Sequence, residues 1–247
     1  MNRVLLTSDE IDAGGIVEVA GRRGAHLVRV LGVRRGQSVR VGIVNGPPGT
    51  GRVLEIGEDV VRLSCRFDAA AGPRTGIHLV LALPRPKVMR RLWAPLASLG
   101  VERITLVNAA RVERNYFDTH WLEARAYEPL LREGAAQAGD TRSPAVAVRR
   151  RLKPFVEDDM GLPAGDILRL VAEPGEAGRT PAGCDTAQQV VLAVGPEGGW
   201  TPFELELWRN NGFKTLCLGW RTLRSDVACI ALLGYLQGLR ASAREEP

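Results

Sequence analysis

Lysine is nearly missing from this chain. Lys87, Lys153 and Lys214 are its only three, against thirty arginines in 247 residues. Histidine is as scarce, and His26, His78 and His120 share no metal-ligand spacing, so no metal centre is expected. Cys65, Cys184, Cys217 and Cys229 form no Cys-x-x-Cys pair and no spaced disulfide framework. They read as reduced cytoplasmic thiols. No stretch approaches the roughly 18 apolar residues of a membrane span, and the first ten residues hold no signal-peptide core. Gly-x-Gly-x-x-Gly is absent, which removes the dinucleotide fingerprint. Gly-x-Ser-x-Gly is absent too, and with it that kind of serine nucleophile.

What is present fits a globular protein of one large or two small domains, with 45% hydrophobic and 25% charged residues. The formal charge of +5 and pI near 9.4 suggest a polyanionic partner. An arginine-, alanine- and glycine-rich composition also follows from a GC-rich genome. The charge is spread out: residues 1–72 carry ten arginines against eight acids, and the remainder 23 basic against 20 acidic residues. Charge alone leaves both readings open.

Residues 1–72 predict short strands at Val17–Val19, Gln37–Val44, Arg52–Ile56 and Val60–Phe67, with one helical stretch at Ala25–Leu31. Close-spaced short strands suggest a small barrel. Arg22, Arg23, Arg29, Arg34 and Arg35 cluster around the helical stretch, either as a phosphate grip or as a solvated face. Gly46-Pro47-Pro48-Gly49-Thr50-Gly51 almost spells a phosphate loop, but Arg52 and Val53 stand where Lys and Ser/Thr are needed. The following residues alternate like a strand, so a Gly/Pro hairpin loop is expected instead of ATP binding.

A linker is expected at Ala69–Gly76. Strands then alternate with helices: strands at Ile77–Leu83, Arg103–Val107, Ala145–Val148 and Ile167–Ala172, helices at Pro86–Leu99 and Phe117–Gln137. Pro95 should kink or divide the first helix, and Pro129 interrupts the second. Such alternation predicts a mostly parallel sheet covered by helices.

The last quarter is the most informative. A strand at Gln189–Val194 ends in Gly195-Pro196-Glu197-Gly198-Gly199-Trp200. Thr201-Pro202-Phe203-Glu204 then spells a capping box with Pro at the first helical position, and Gly212 stops that helix. A second strand, Thr215–Leu218, ends in Gly219-Trp220-Arg221-Thr222-Leu223-Arg224-Ser225-Asp226, and an apolar helix around Val227–Leu236 closes the chain. Two glycine-marked turns after two buried-type strands predict a small-ligand site held largely by backbone groups.

These two turns, at this distance from one another, resemble the RsmE family of bacterial ribosomal small-subunit RNA methyltransferases, within the SPOUT superfamily. Members carry Gly-Pro-Glu-Gly-Gly and then Leu-Gly-Pro-Arg-x-Leu-Arg-Thr-Glu. His26–Leu31, Leu99-Gly100-Val101, Gln137 and Arg142-Ser143-Pro144 extend the likeness over most of the chain. The resemblance implies an α/β fold in two domains. Residues 1–72 would be a PUA-like β-barrel that binds RNA. Residues 73–247 would be a SPOUT methyltransferase domain with a C-terminal trefoil knot, cofactor-binding and dimerising. It implies S-adenosylmethionine as cofactor, a homodimer, and N3 of a uridine in 16S rRNA of the small ribosomal subunit as acceptor, beside the cytoplasmic location expected from the cysteines.

By the same resemblance, Val194, Gly195, Pro196, Glu197, Gly199, Leu218, Gly219, Trp220, Leu223, Arg224 and Ser225 hold the cofactor. Arg224 is the candidate catalytic residue, placed to stabilise charge on the uracil carbonyls, with a salt bridge to Glu197 or Asp226 as the competing role. Arg22, Arg23, Arg29, Arg34 and Arg142 are the candidate RNA contacts. The chain departs from the pattern at Ala136, at Pro95–Gly100, and at Trp220 for Pro, Ser225 for Thr, Asp226 for Glu and Val227 for Thr. Donor-side positions are kept better than acceptor-side ones. A SPOUT-fold RNA-binding protein with a different or lost methylation target is therefore the alternative.

Overall fold

The computed structural model describes residues 3–71, 75–160, 167–175 and 180–245. Gly72, Pro73 and Arg74 of the expected linker lie outside the described residues. The chain divides into two compact units.

The first unit contains the described residues up to 71 together with Leu130–Ser143. Its strands are β1 (Val4–Leu6), β2 (Ile16–Val19), β3 (Ser38–Ile43), β4 (Pro48–Ile56) and β5 (Val61–Phe67). They form one sheet in the order β1-β3-β4-β5-β2, antiparallel apart from β1 beside β3. Val4 and Leu6 from one edge share a single buried cluster with Val17 and Val19 from the other, and with Val41, Val53, Leu63 and Leu27. A sheet whose two edge strands meet in one core is curled, as the expected barrel requires. Among the described residues its edges β1 and β2 do not pair.

The helical stretch is α1 (Gly21–Ala25), running on into a π turn at His26–Val30, with Leu27 buried in the core. Gly46 and Pro47 lie in the turn of the β3–β4 hairpin, with Asn45 at a φ of 58°, so the expected Gly/Pro hairpin is present, while Pro48 to Gly51 already belong to β4. A side chain at Gly49 would run into the Arg66 carbonyl, and one at Gly51 would come within 2.9 Å of Val41. Those glycines serve strand packing. Leu130–Ser143, expected in the second domain, packs here instead. Arg3 donates its backbone N–H to the Ala136 carbonyl and its Nε–H to that of Gly139, and Ala135 and Ala136 are buried against Leu5.

The second unit holds the described residues from 75 to 129 and from 144 to 245. Its strands are β6 (Ile77–Ala82), β7 (Arg103–Val107), β8 (Ala145–Arg149), β9 (Ile167–Ala172), β10 (Gln189–Val194) and β11 (Lys214–Leu216). They form an all-parallel sheet in the order β11-β9-β10-β6-β7-β8. Every residue of β6 is buried, and so are the last five of β10. Parallel strands covered on both faces read as unbroken apolar runs, which is why the sequence shows them so clearly.

Its helices are α2 (Pro86–Ser98), α3 (Ala124–Ala138, passing into the first unit after Pro129), the single turn α4 (Leu152–Pro154), α5 (Pro202–Asn210) and α6 (Ser225–Glu245). Pro95 is accommodated inside an undivided α2. The helix expected from Phe117 begins only at Ala124. Before it, Thr119 takes an extended conformation, and its side chain caps a 3-10 turn by accepting from the Trp121 N–H. That local bond competes with helix propagation. β11 stops at Leu216, two residues short of expectation.

Candidate ligand cavity at the carboxyl ends of the strands

Parallel strands point their carboxyl ends at one edge of the sheet, and ligands collect there. The exits of β9, β10 and β11, adjacent in the sheet, surround a cavity of about 330 Å³. That volume suits a nucleoside-sized ligand. Ala172, Glu173 and Pro174 come from the β9 exit, residues 194–200 from β10, and residues 216–223 except Cys217 and Trp220 from β11. Ser225, Ala228 and Leu232 of α6, with Leu205 of α5, complete the wall.

The β10 turn is held at both ends. Gly199 N–H donates to the Pro196 carbonyl at 2.8 Å, and Gly199 has a φ of 73°, where an L side chain is strained. The Trp200 ring folds back over Gly195, so close that a Cβ there would sit 3.1 Å from its Nε1. Trp200 meets Trp208 edge-on at 5.4 Å, and Trp208 meets Phe213 at 4.6 Å. This aromatic stack fixes α5 beneath the turn.

The capping box forms as the sequence predicts. Glu204 N–H donates to Thr201 Oγ1, and Glu204 Oε2 accepts from Thr201 N at 2.8 Å and Thr201 Oγ1 at 2.9 Å. Glu204 is 4% exposed, and its other oxygen accepts from Ala110 N at 2.8 Å. One carboxylate thus fastens the turn after β7 to the start of α5. Beside it, Arg111 donates to the Gly198 carbonyl.

The β11 turn is tied to its neighbours in turn. Cys217 Sγ lies 3.3 Å from the Gly175 carbonyl and 3.2 Å from the Gly219 nitrogen, and Gly175 N–H donates to the Gly219 carbonyl. Ser225, 3% exposed, donates its hydroxyl to the Gly195 carbonyl at 3.3 Å. That bond brings the two glycine-marked turns together at the start of α6.

Of the residues expected to hold a cofactor, Val194, Gly195, Pro196, Glu197, Gly199, Leu218, Gly219, Leu223 and Ser225 line this cavity. Trp220 and Arg224 do not. Trp220 points outward at 72% exposure, with the Arg221 guanidinium 4.8 Å from its ring centre. Arg224 carries an exposed side chain that pairs with Asp226 at 3.1 Å, and Arg91 reaches the same Asp226 oxygen at 3.3 Å. Glu197 pairs with Arg85 at 3.5 Å, so it is not the partner of Arg224.

The candidate RNA arginines differ in standing. Arg22 is almost fully exposed and lies 3.7 Å from Glu133, Arg29 pairs with Asp59 at 2.7 Å, and Arg34 is exposed. Arg142 donates its backbone N–H to Asp140 at 3.0 Å. Arg23 is half-buried and committed to Glu10 and to the Leu5 carbonyl. It works as a structural tie, and it pulls the Glu10 carboxyl down below its usual pKa against the opposing effect of burial.

The sequence did not point to the β9 exit, to Leu205, Ala228 and Leu232, or to Ala110 and Arg111. Glu173-Pro174 after an apolar strand was the one local signal for the first of these. The others reach the site only through tertiary packing.

Comparison with known proteins gives a consistent picture. The RNA methyltransferase domain family matches residues 72–237, about two-thirds of the chain. A Treponema pallidum relative named ribosomal RNA small subunit methyltransferase E is 29% identical, over 100% of this chain and 95% of its own length. A Borreliella burgdorferi protein, named ribosomal RNA small subunit methyltransferase E 1, is 23% identical over 94% of this chain and 95% of its own. Among solved structures, the Neisseria gonorrhoeae ribosomal RNA small subunit methyltransferase E bound to S-adenosyl methionine superposes with a TM-score of 0.75. It is 21% identical and covers 97% of this chain and 98% of its own.

Proposed function

Because the chain belongs to the RNA methyltransferase family, we propose that it methylates 16S rRNA of the small ribosomal subunit at uridine N3, with S-adenosylmethionine as donor. The observation that carries this reading is the convergence of the two glycine-marked turns on one cavity at the ends of β9, β10 and β11. The names of the full-length relatives and the donor bound in the Neisseria gonorrhoeae neighbour support it.

The cavity fits that donor in size and chemistry. Leu205, Leu216, Leu223 and Leu232 give it apolar walls for an adenine ring. Gly199 lets the ligand meet backbone directly, while the bare Gly195 makes room for the Trp200 ring on the wall. Val194, Pro196, Glu197, Leu218, Gly219 and Ser225 complete the proposed donor set. When bound, the donor supplies an electrophilic methyl on its sulfonium. The chain's part is to hold acceptor and methyl in line and to exclude water.

Arg224 is the proposed catalytic group. Its backbone lies between the lining residues Leu223 and Ser225, and its exposed guanidinium, paired with Asp226, is not part of the cavity wall. Its proposed role is to stabilise negative charge on a uracil carbonyl as the N3 proton passes to solvent and N3 takes the methyl. Arg22, Arg29, Arg34 and Arg142 are the proposed phosphate contacts. Val227 and Ile230, one turn apart, are exposed apolar residues of α6 and the proposed homodimer contact. The trefoil knot implied by the resemblance and the cytoplasmic location expected from the cysteines belong to the same proposal.

The test is a calorimetric titration with S-adenosylmethionine, followed by labelled methyl transfer to 16S rRNA from cells lacking the activity. Micromolar donor binding and one new 3-methyluridine are expected. Absence of donor binding would refute the assignment. Donor binding and RNA binding without methyl transfer would favour the non-catalytic alternative.

A further inference from the structure

Trp220 is the most exposed large apolar side chain among the described residues. It sits on the turn after β11, and its neighbours Gly219 and Arg221 both line the cavity. The Arg221 guanidinium covers the ring at 4.8 Å, and at 72% exposure most of the indole is left to solvent. On the same turn Leu218 lines the cavity and is 40% exposed.

We propose that Trp220 and Arg221 form a stacking platform for an RNA base at the mouth of the cavity. The proposal rests on the RNA-methyltransferase reading and moves Trp220 from the donor side of the site to the acceptor side. Enzymes that modify a base draw it out of its stack and hold it against aromatic or apolar faces. An indole backed by a guanidinium offers such a face, and the same guanidinium meets a neighbouring phosphate. The Arg221 guanidinium on the ring, in a chain that itself carries +5, favours a polyanion over a second copy.

The experiment compares Trp220→Ala and Trp220→Phe with the parent chain. Stacking on an aromatic contributes about tenfold to a hundredfold per base. Trp220→Ala should therefore raise the KM for 16S rRNA by about tenfold or more, and Trp220→Phe should restore most of it. Calorimetric donor affinity and the sedimentation-measured oligomeric state should match the parent in both. An unchanged KM in Trp220→Ala overturns the platform. Loss of donor affinity returns Trp220 to the donor cavity, and loss of self-association makes it a subunit contact; either result also overturns it. Quenching of indole emission by oligouridylate, diminished in Trp220→Phe, reads the stacking without methyl transfer. If the parent proves inactive on RNA, the underlying reading fails. The platform falls separately if quenching is absent, or if Trp220→Phe quenches like the parent.

Discussion

Replacing Glu204 by alanine removes three hydrogen bonds at once. Thr201 N and Ala110 N each lose an acceptor at 2.8 Å, and Thr201 Oγ1 loses one at 2.9 Å. A backbone N–H left unpaired away from water costs about 1–3 kcal/mol. Two such groups, eased by water entering the vacated space, give a loss of roughly 2–4 kcal/mol. Thr201→Ala removes the cap bond from the Glu204 N–H, a long 3.3 Å, and the hydroxyl's donation to Glu204 Oε2, but leaves both backbone N–H groups paired with the carboxylate, and should cost about 1 kcal/mol. Glu204→Gln keeps one acceptor oxygen and turns its amide N–H toward another donor, so it falls between them. Urea unfolding followed by tryptophan emission is the assay, because Trp200 and Trp208 stack at this end of α5. Donor affinity should fall in the same order, since the β10 turn runs directly into the cap. A Glu204→Ala chain within about 0.5 kcal/mol of the parent, or one more stable than Thr201→Ala, would refute the view that this carboxylate holds the site together.

Gly199→Val places a β-branched residue at a φ of 73° on the cavity wall. If the free turn relaxes out of this conformation and the donor must restore it, the strain of about 1–2 kcal/mol should weaken donor binding by up to about tenfold; calorimetry showing full affinity would misplace the pocket. Arg224→Ala should lower turnover by about a hundredfold while leaving donor affinity intact, because its side chain stands outside the wall. Unaltered turnover would reduce Arg224 to a partner of Asp226. His78 is buried between strands, bonded to Thr105 at 2.8 Å, and burial, helped by the nearby Arg103 charge, lowers its pKa to about 4. A folded pKa below the unfolded one means the unfolded chain binds the extra proton. This part of the stability is complete above pH 6.5 and is lost as pH falls toward 4, by up to about 3 kcal/mol. His78→Gln should flatten unfolding free energy over that window, and an unchanged slope would refute it.

Elements whose cause is local were legible. The apolar runs of β6, β7 and β10 and the Thr201–Glu204 box needed nothing beyond their own residues to declare themselves. The three-residue β1 was missed, because it is a strand only by parallel pairing with β3, more than thirty residues away. The helix expected from Phe117 was overlong, because a cap at Thr119 offers the backbone a nearer partner than the helix does.

The site divides along the same line. Glycine at positions 195, 199 and 219, and the capping box beside them, were fixed by sequence, since backbone conformation and close approach depend on the residue itself. That two turns twenty residues apart share one cavity was decided by the order β11-β9-β10, which sets their exits side by side, and by the Ser225 hydroxyl that reaches the Gly195 carbonyl. Tertiary structure also separated residues of one turn: Leu223 and Ser225 face inward, while Trp220 and Arg224 face out. A turn outside any helix or strand has no fixed period from which sidedness can be read, so only its packing against α6 and the β9 exit assigns each side chain its face.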